Sequence, residues 1–231
     1  MNDKLLDRDK EIKDLEKIIK KRNTQNEVII VYGISGVGKS GLINKFKTIC
    51  NNINMINVKM SKTSVSTIEN LQYFNAIYKA FEEFSIKNNT LVPTPSQHGM
   101  FSIGNLIRWL FSIIKSKNGY GDSISLSEPS ENESIVRKKD YILYILSNSD
   151  VILDIENIQN IDTHSFELLK NIFSNVSNKV FILEYTLGEQ NDSHFANFYK
   201  EILETGVHIT EFRVEKMDFF YASQLAPKDL P

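Results

Sequence analysis

The sequence predicts an α/β fold, a three-layer sandwich in which a parallel five-stranded sheet carries helices on both faces. Short runs rich in Val and Ile alternate along the chain with longer segments whose apolar residues recur three or four positions apart. Strands separated by helices pair in parallel and place those helices on both faces of the sheet. The composition, with 41% hydrophobic and 24% charged residues over 231 positions, is that of an ordinary globular protein.

The predicted elements alternate in the way that such a fold needs. Helices are expected over residues 7–22, 39–50, 67–86, 101–117, 135–147, 195–204 and 217–225, with one more that begins at Asp162. Strands are expected over residues 27–32, 55–60, 151–156, 180–186 and 207–214. Asp162 has the short acidic side chain of a good helix cap. Residues 118–133 are rich in Gly, Ser and acidic side chains and are expected to form a surface loop.

The segment between the first strand and the next helix fits G-x-x-x-x-G-K-[ST], the pattern of a phosphate-binding P-loop. Its glycines allow a positive φ, so that successive backbone N–H groups point at an anion. Lys39 can reach the β- and γ-phosphates, and the Ser40 hydroxyl can ligate Mg²⁺. We therefore predict a P-loop NTPase fold that binds ATP and Mg²⁺ through Gly33, Ser35, Gly36, Val37, Gly38, Lys39, Ser40 and Gly41.

A P-loop site also needs an acidic residue, at the end of an apolar strand, that holds the Mg²⁺ shell. The predicted strand over 151–156 offers Asp154 and Glu156 on the same face. In one register Asp154 is the metal ligand and Glu156 polarises the attacking water. In the other, Glu156 is the metal ligand and Asn157 takes the next position. The apolar residues just before Glu156 favour the second register slightly, and both carboxylates are candidate metal ligands and catalytic residues.

Segments on either side of the P-loop resemble those of AAA-like and STAND ATPases. The segment Leu5-Leu6-Asp7-Arg8-Asp9-Lys10-Glu11-Ile12 resembles the box that precedes the P-loop in these families, with Asp7 in place of the usual glycine. Residues 156–162 resemble the STAND Walker B segment, in which an acidic residue is followed six positions later by Asp. Residues 183–186 stand where the family has the end of its sensor-1 strand, and residues 212–217 resemble the exit strand before a helical lid.

The resemblance implies that Arg8 lies on the adenine side of the nucleotide and that Thr186 takes a catalytic, sensor-type position. It also implies a regulatory ATP-binding switch of STAND type in a larger bacterial signalling or anti-phage defence protein, with self-association or domains beyond residue 231 as partners. We expect one P-loop NTPase domain: the box and helix over 1–26, the α/β core over 27–215 and the start of a truncated lid over 216–231. The alternative is an AAA-type DNA-associated ATPase, similar to an initiator or loader.

The composition bears on several other classes. A net charge of −2 offers no global basic field for nucleic acid, so DNA as a partner has no support from charge. The Asn-Lys-x-Asp motif of guanine recognition is missing, which favours adenine. A single cysteine, no signal-peptide pattern and no apolar run near ~18 residues favour a cytoplasmic protein without a membrane span. The four histidines are scattered and suggest no metal cluster.

Weak ATP hydrolysis is expected of the isolated chain. In one register Asn157 replaces the acidic residue that would polarise water, and the lid that should close over the nucleotide is cut off near Pro231. None of the five arginines stands just after the fourth strand, where an arginine finger is expected. A missing finger alone costs roughly 10³–10⁵ in kcat.

Overall fold

The described residues contain a sheet of five parallel strands, in the order β2-β3-β4-β1-β5. The strands are β1 (Glu27–Ile34), β2 (Asn54–Lys59), β3 (Val151–Glu156), β4 (Val180–Leu187) and β5 (His208–Arg213). Although it is fourth in the chain, β4 lies between β1 and β3 and pairs with both. The strand that leads into the P-loop is therefore separated by β4 from the strand that carries Asp154 and Glu156.

The computed structural model describes residues 8–20, 25–49, 54–61, 74–88, 131–190 and 192–216. In these residues the helices are α1 (Asp9–Lys20), α2 (Lys39–Ile49), α3 (Asn75–Lys87), α4 (Glu131–Asn148), α5 (Thr163–Asn175) and α6 (Asp192–Leu203), with a 3-10 turn at Ile158–Asn160. The helices predicted over 101–117 and 217–225, and most of the loop predicted over 118–133, lie outside the described residues.

By its internal contacts the chain divides into two compact units. The first consists of Met1–Leu71 and Asp150–Pro231 and contains the sheet with α1, α2, α5 and α6. The second consists of Gln72–Ser149 and contains α3 and α4. In the second unit Tyr78 of α3 and Tyr141 of α4 contact each other, with ring centres 5.4 Å apart. The single domain expected over 1–231 and its internal borders stay a prediction.

Helices cover both faces of the sheet in the first unit. On one face α1 and α2 pack in a single apolar cluster with β1, β3 and β4, formed by Ile12, Leu15, Ile19, Leu42, Ile43, Phe46, Ile29, Val31, Ile152, Val180 and Ile182. On the other face Phe173 of α5 packs edge-on against Phe181, and Phe198 of α6 packs against Tyr185. Side chains alternate along a strand, so Phe181 and Tyr185 lie opposite Ile182. The predicted three-layer α/β sandwich is confirmed.

The start of α4 differs from the expectation. The apolar spacing predicts a helix from Ile135, whereas the helix begins at Glu131. Residues 131–134 contain no apolar side chain, so the spacing of apolar residues gives no indication of this polar first turn of the helix. No helix in the described part of the chain is long and apolar enough to cross a bilayer.

The cap at the start of α5 agrees with the prediction and can be tested. The Asp162 side chain accepts a hydrogen bond from the Ser165 backbone N–H at 2.8 Å. We expect Asp162→Ala to lower the free energy of unfolding by about 1 kcal/mol, because this N–H group loses its acceptor. Asp162→Asn retains an acceptor and should stay close to wild type. Urea denaturation measures both, and an equal loss in the two variants would contradict the cap.

Candidate functional site

The P-loop lies between β1 and α2, and its glycines serve two different purposes. Gly36 and Gly38 have φ of 79° and 94°, a left-handed conformation that favours glycine. Gly33 has ordinary backbone angles but closely approaches the segment after β5. A Cβ atom there would collide with the Val214 carbonyl oxygen and come within 2.9 Å of the Val37 side chain. The loop therefore combines a left-handed backbone at its tip with a tight contact at its base.

Lys39 is buried at the first position of α2 and is held inside the loop. Its Nζ donates hydrogen bonds to the carbonyl oxygens of Gly33 at 3.1 Å and Ile34 at 3.0 Å. Burial lowers the pKa of the Lys39 ammonium, and the negative charges of Glu184 and Glu189 oppose that shift. The ammonium is thus partly desolvated before a ligand arrives, and an anionic phosphate would be a stronger partner than neutral carbonyl groups.

The next residue, Ser40, makes a contact that sequence reasoning missed. Its Oγ donates a hydrogen bond to Glu184 Oε2 at 2.8 Å, and Glu184 on β4 is only 2% exposed. Burial raises the pKa of Glu184 to about 7. The nearby carboxylates of Asp154 and Glu156 add to this shift, and the Ser40 hydroxyl and Lys47 oppose it. The signal in the sequence was one charged residue inside the apolar run from Val180 to Tyr185.

Asp154 is fully buried on β3, with 0% of its surface exposed. Lys47 of α2 places its Nζ 2.9 Å from Asp154 Oδ2. Burial raises the pKa of Asp154, and the Lys47 charge opposes the shift. Neither carboxylate oxygen accepts a hydrogen bond of regular geometry from the residues that the structure describes. Lys47 and Asp154 nevertheless form an ion pair, because the attraction between two charges depends on distance more than on direction.

Glu156 and Thr186 occupy the carboxyl ends of their strands. Glu156 is 26% exposed as a side chain and lies 3.9 Å from Lys59 Nζ on β2. Thr186 is buried, pairs with Gly33 in the sheet, and donates its backbone N–H to Gln159 Oε1 at 3.1 Å. Asn157, which follows Glu156, has a left-handed backbone with φ of 56°.

Gln159 is a second residue that the sequence did not point out. It is buried in the 3-10 turn, and its Nε2 donates to Glu189 Oε2 at 3.1 Å. Its backbone carbonyl accepts from Gln190 Nε2 at 3.3 Å. These bonds, with the one from the Thr186 N–H, join the segment after β3 to the segment after β4. Because a buried amide needs several partners at once, these bonds hold the segments at the carboxyl ends of β3 and β4 together.

Arg8 connects three parts of the first unit. Its Nη1 donates to Glu11 Oε1 at 2.9 Å, and its Nη2 donates to the carbonyl oxygens of Val37 at 3.4 Å and Glu215 at 2.6 Å. The residue is only 6% exposed. One guanidinium therefore ties the start of α1 to the P-loop and to the segment after β5. The predicted contact between Arg8 and adenine stays a prediction.

The oxygen donors near Ser40 suit Mg²⁺. No group of three or more His, Cys, Asp or Glu side chains in the described ranges is arranged to hold a metal by itself. Magnesium at phosphate sites uses one or two carboxylates, substrate phosphates and water, so such a group is not required. The Ser40 hydroxyl contacts Glu184, the charges of Asp154 and Glu156 act on that carboxylate, and carboxylate oxygens suit a divalent cation.

The role of Arg8 as a joint leads to a stability prediction. We expect Arg8→Ala to lower the free energy of unfolding by about 1.5–3 kcal/mol, since hydrogen bonds from a charged donor are lost in a buried setting. Arg8→Lys should recover only part of the loss, because an ammonium lacks the planar fork that reaches separate acceptors. Glu11→Gln leaves the hydrogen bonds from Arg8 to both carbonyl groups in place, so it should lower the free energy of unfolding less than either Arg8 variant does. Urea denaturation gives the order, and wild-type stability in Arg8→Ala would contradict the joint.

Comparisons with known proteins identify similar folds. No protein-family model and no curated protein matches the chain. Cdc6p from Pyrobaculum aerophilum is similar with a TM-score of 0.52 and 12% identity, over 96% of this chain and 49% of that one. The Walker-type ATPase Paby2304 of Pyrococcus abyssi has a TM-score of 0.43 and 17% identity, over 94% and 56% of the two chains. The Aeropyrum pernix ORC1 protein in complex with DNA has a TM-score of 0.48 and 11% identity, over 95% and 50%.

The chain spans about half the length of these solved structures. At such low identity a likeness concerns the fold alone. The sheet order, the P-loop between β1 and α2, and the likeness to Cdc6p together show that this chain has the α/β fold of P-loop nucleoside triphosphatases.

Proposed function

We propose that the chain binds ATP with Mg²⁺ at the P-loop and acts as a regulatory ATPase module. The observation that carries this proposal is the loop itself, which has two left-handed glycines at its tip and Lys39 and Ser40 at the start of α2. Backbone N–H groups of the loop and the positive end of α2 would bind the phosphates. Bound Mg²⁺ would neutralise phosphate charge, with Ser40 as a ligand and a carboxylate beside it.

The connections of the loop support a switch. Gly33 touches Val214, Val37 shares Arg8 with Glu215, and the Val214 N–H donates to the Tyr32 carbonyl at 2.7 Å. A nucleotide that changed the conformation of the loop would therefore act directly on the segment after β5. The sequence resemblance suggests a STAND-type switch, and a switch of that type needs such a connection between the nucleotide and the rest of the chain. A role in cytoplasmic signalling or antiviral defence rests on the same resemblance.

A DNA-associated ATPase of AAA type is the second candidate. The likeness to Cdc6p fits this candidate at least as well as the switch. The net charge of −2 gives it no electrostatic support, since affinity for DNA comes largely from Lys and Arg contacts to phosphates. The two candidate functions use the same ATP site. They differ in whether DNA changes ATP hydrolysis at that site.

The ATP site is tested by thermal unfolding with and without Mg-ATP. We expect a stabilisation of about 2.7 kcal/mol at 100 times the Kd, because the ligand binds only the folded chain. Lys39→Ala should lose this stabilisation. Lys13→Ala, at an exposed position of α1, should keep it. GTP should stabilise less than ATP. An equal stabilisation in Lys39→Ala and wild type, or none in wild type, would contradict the proposal.

Hydrolysis by the isolated chain should be slow, well below the order of 1 s⁻¹ that is ordinary for enzymes. Among the arginine side chains that the structure describes, Arg8 is engaged with backbone carbonyls and Arg213 is largely exposed. Neither is placed as a finger for the P-loop. Phosphate release under saturating Mg-ATP measures the rate, with and without duplex DNA. Stimulation by DNA favours the second candidate, and fast turnover without any partner, abolished by Glu156→Gln, contradicts the expectation.

A further inference from the structure

The hydroxyl group of Ser40 hydrogen-bonds to one of the three nearby carboxylates, that of Glu184. Its Oγ donates to Glu184 Oε2 at 2.8 Å, whereas Asp154 is paired with Lys47 at 2.9 Å. A serine that ligates a metal uses an oxygen lone pair and keeps its proton for a hydrogen bond. The contact to Glu184 is therefore compatible with metal binding by Ser40, and it fixes the direction of the lone pairs.

The register of the sheet places Glu184 nearer to the P-loop than Asp154. Glu184 pairs with Val31, two residues before Gly33. Asp154 pairs with Ile182, which in turn pairs with Ile29, four residues before Gly33. At ~3.3 Å per residue this difference is about 7 Å along the strand. Asp154 also lies one strand further from β1, since β4 stands between them.

The charges that surround the three carboxylates also point to Glu184. Asp154 has Lys47 beside it, and Glu156 lies 3.9 Å from Lys59 and is partly exposed to water. Glu184 is buried, and among the described residues no lysine or arginine nitrogen lies within ion-pair distance of it, although the charges of Lys39 and Lys47 act on it from further away. A buried carboxylate without a cation in direct contact is costly, and a divalent ion next to Ser40 would reduce that cost.

We propose that Glu184, rather than Asp154, supplies the carboxylate of the Mg²⁺ shell beside Ser40. Glu184 has two roles in this arrangement: it orients the Ser40 hydroxyl and brings negative charge to the cation. Asp154 then pairs with Lys47 and anchors α2 on the sheet. Glu156, at the carboxyl end of β3, is then the carboxylate that would polarise the attacking water. The inference rests on the proposed function, because it concerns the cation that accompanies ATP.

Binding of Mn²⁺, followed by EPR in the presence of a non-hydrolysable ATP analogue, tests the assignment. Glu184→Gln keeps the shape and the acceptor for Ser40 but removes the charge. We expect its Mn²⁺ affinity to fall roughly 10- to 100-fold, the range seen when partners of metal ligands are changed. Its affinity for the analogue in EDTA should stay within about twofold of wild type or rise, since one negative charge near the phosphates is gone.

The unfolding temperature without metal and nucleotide separates this role from a structural one. Removal of a buried, unpaired charge should leave Glu184→Gln as stable as wild type or more stable. Asp154→Asn should instead be less stable, because Lys47 loses its partner, and should keep Mn²⁺ affinity close to wild type. Glu83→Gln, an exposed glutamate of α3, is the control and should change neither quantity. Glu184→Asp draws the carboxylate back by one methylene and should weaken Mn²⁺ binding severalfold.

The outcomes are distinguishable. Wild-type Mn²⁺ affinity in both Glu184 variants overturns the assignment, and loss of Mn²⁺ binding in Asp154→Asn alone transfers the role to that residue. If the wild-type chain binds the analogue neither in EDTA nor with Mn²⁺, the proposed function fails and this inference fails with it. Normal analogue binding in EDTA, combined with weakened Mn²⁺ binding in Glu184→Gln, supports both.

Discussion

The parallel pairing of β4 with β1 is the constraint on which the site depends. The two strands pair along their full length, from Glu27 with Val180 to Ile34 with Leu187. Because β4 fills the place next to β1, its side chains, and not those of β3, stand directly beside the strand that leads into the P-loop. Glu184 reaches Ser40 for this reason. The carboxylates of β3 are one strand spacing further away, about 4.8 Å, and must act across β4.

The sheet face under α2 carries an unusual amount of charge for a protein interior. Asp154, Glu156 and Glu184 lie on this face, and α2 contributes Lys39 and Lys47 to it. Apolar residues of α1, α2 and three strands pack beside them in one cluster. Ions in such surroundings are tolerated only with partners, since desolvation is expensive. Burial, together with the charges of Asp154 and Glu156, raises the pKa of Glu184 to about 7.

The base of the P-loop is as constrained as its tip is open. A Cβ atom at Gly33 would collide with the Val214 carbonyl oxygen, and Arg8 binds the carbonyl groups of Val37 and Glu215 together. The loop cannot shift at this point without moving the segment after β5. At the tip, no atom of the described residues lies within 4 Å of a Cβ built on Gly36 or Gly38. The left-handed backbone, and not a close contact within the described part of the chain, explains glycine there.

Local sequence patterns determined the elements and the loop. Strand β3 begins and ends where the apolar run does, the P-loop stands between a strand and a helix, and Asp162 caps α5. These features depend on residues close together in the chain, whose periodicity and turn chemistry are visible in the sequence. A polar first turn has no such period, which is why the start of α4 was predicted four residues late.

Tertiary structure alone decided which polar residues that are distant in the sequence meet. The strand order brings Glu184 to Ser40, and the pairing of segments after β3 and β4 gives Gln159 its partners. The contact between Ser40 and Glu184 joins residues 144 positions apart, and the one between Arg8 and Glu215 joins residues 207 apart. No local pattern encodes such a contact, because it depends on which strands become neighbours and in which register. The sequence by itself therefore determined the phosphate-binding loop, and only the folded sheet decided which carboxylate lies next to it.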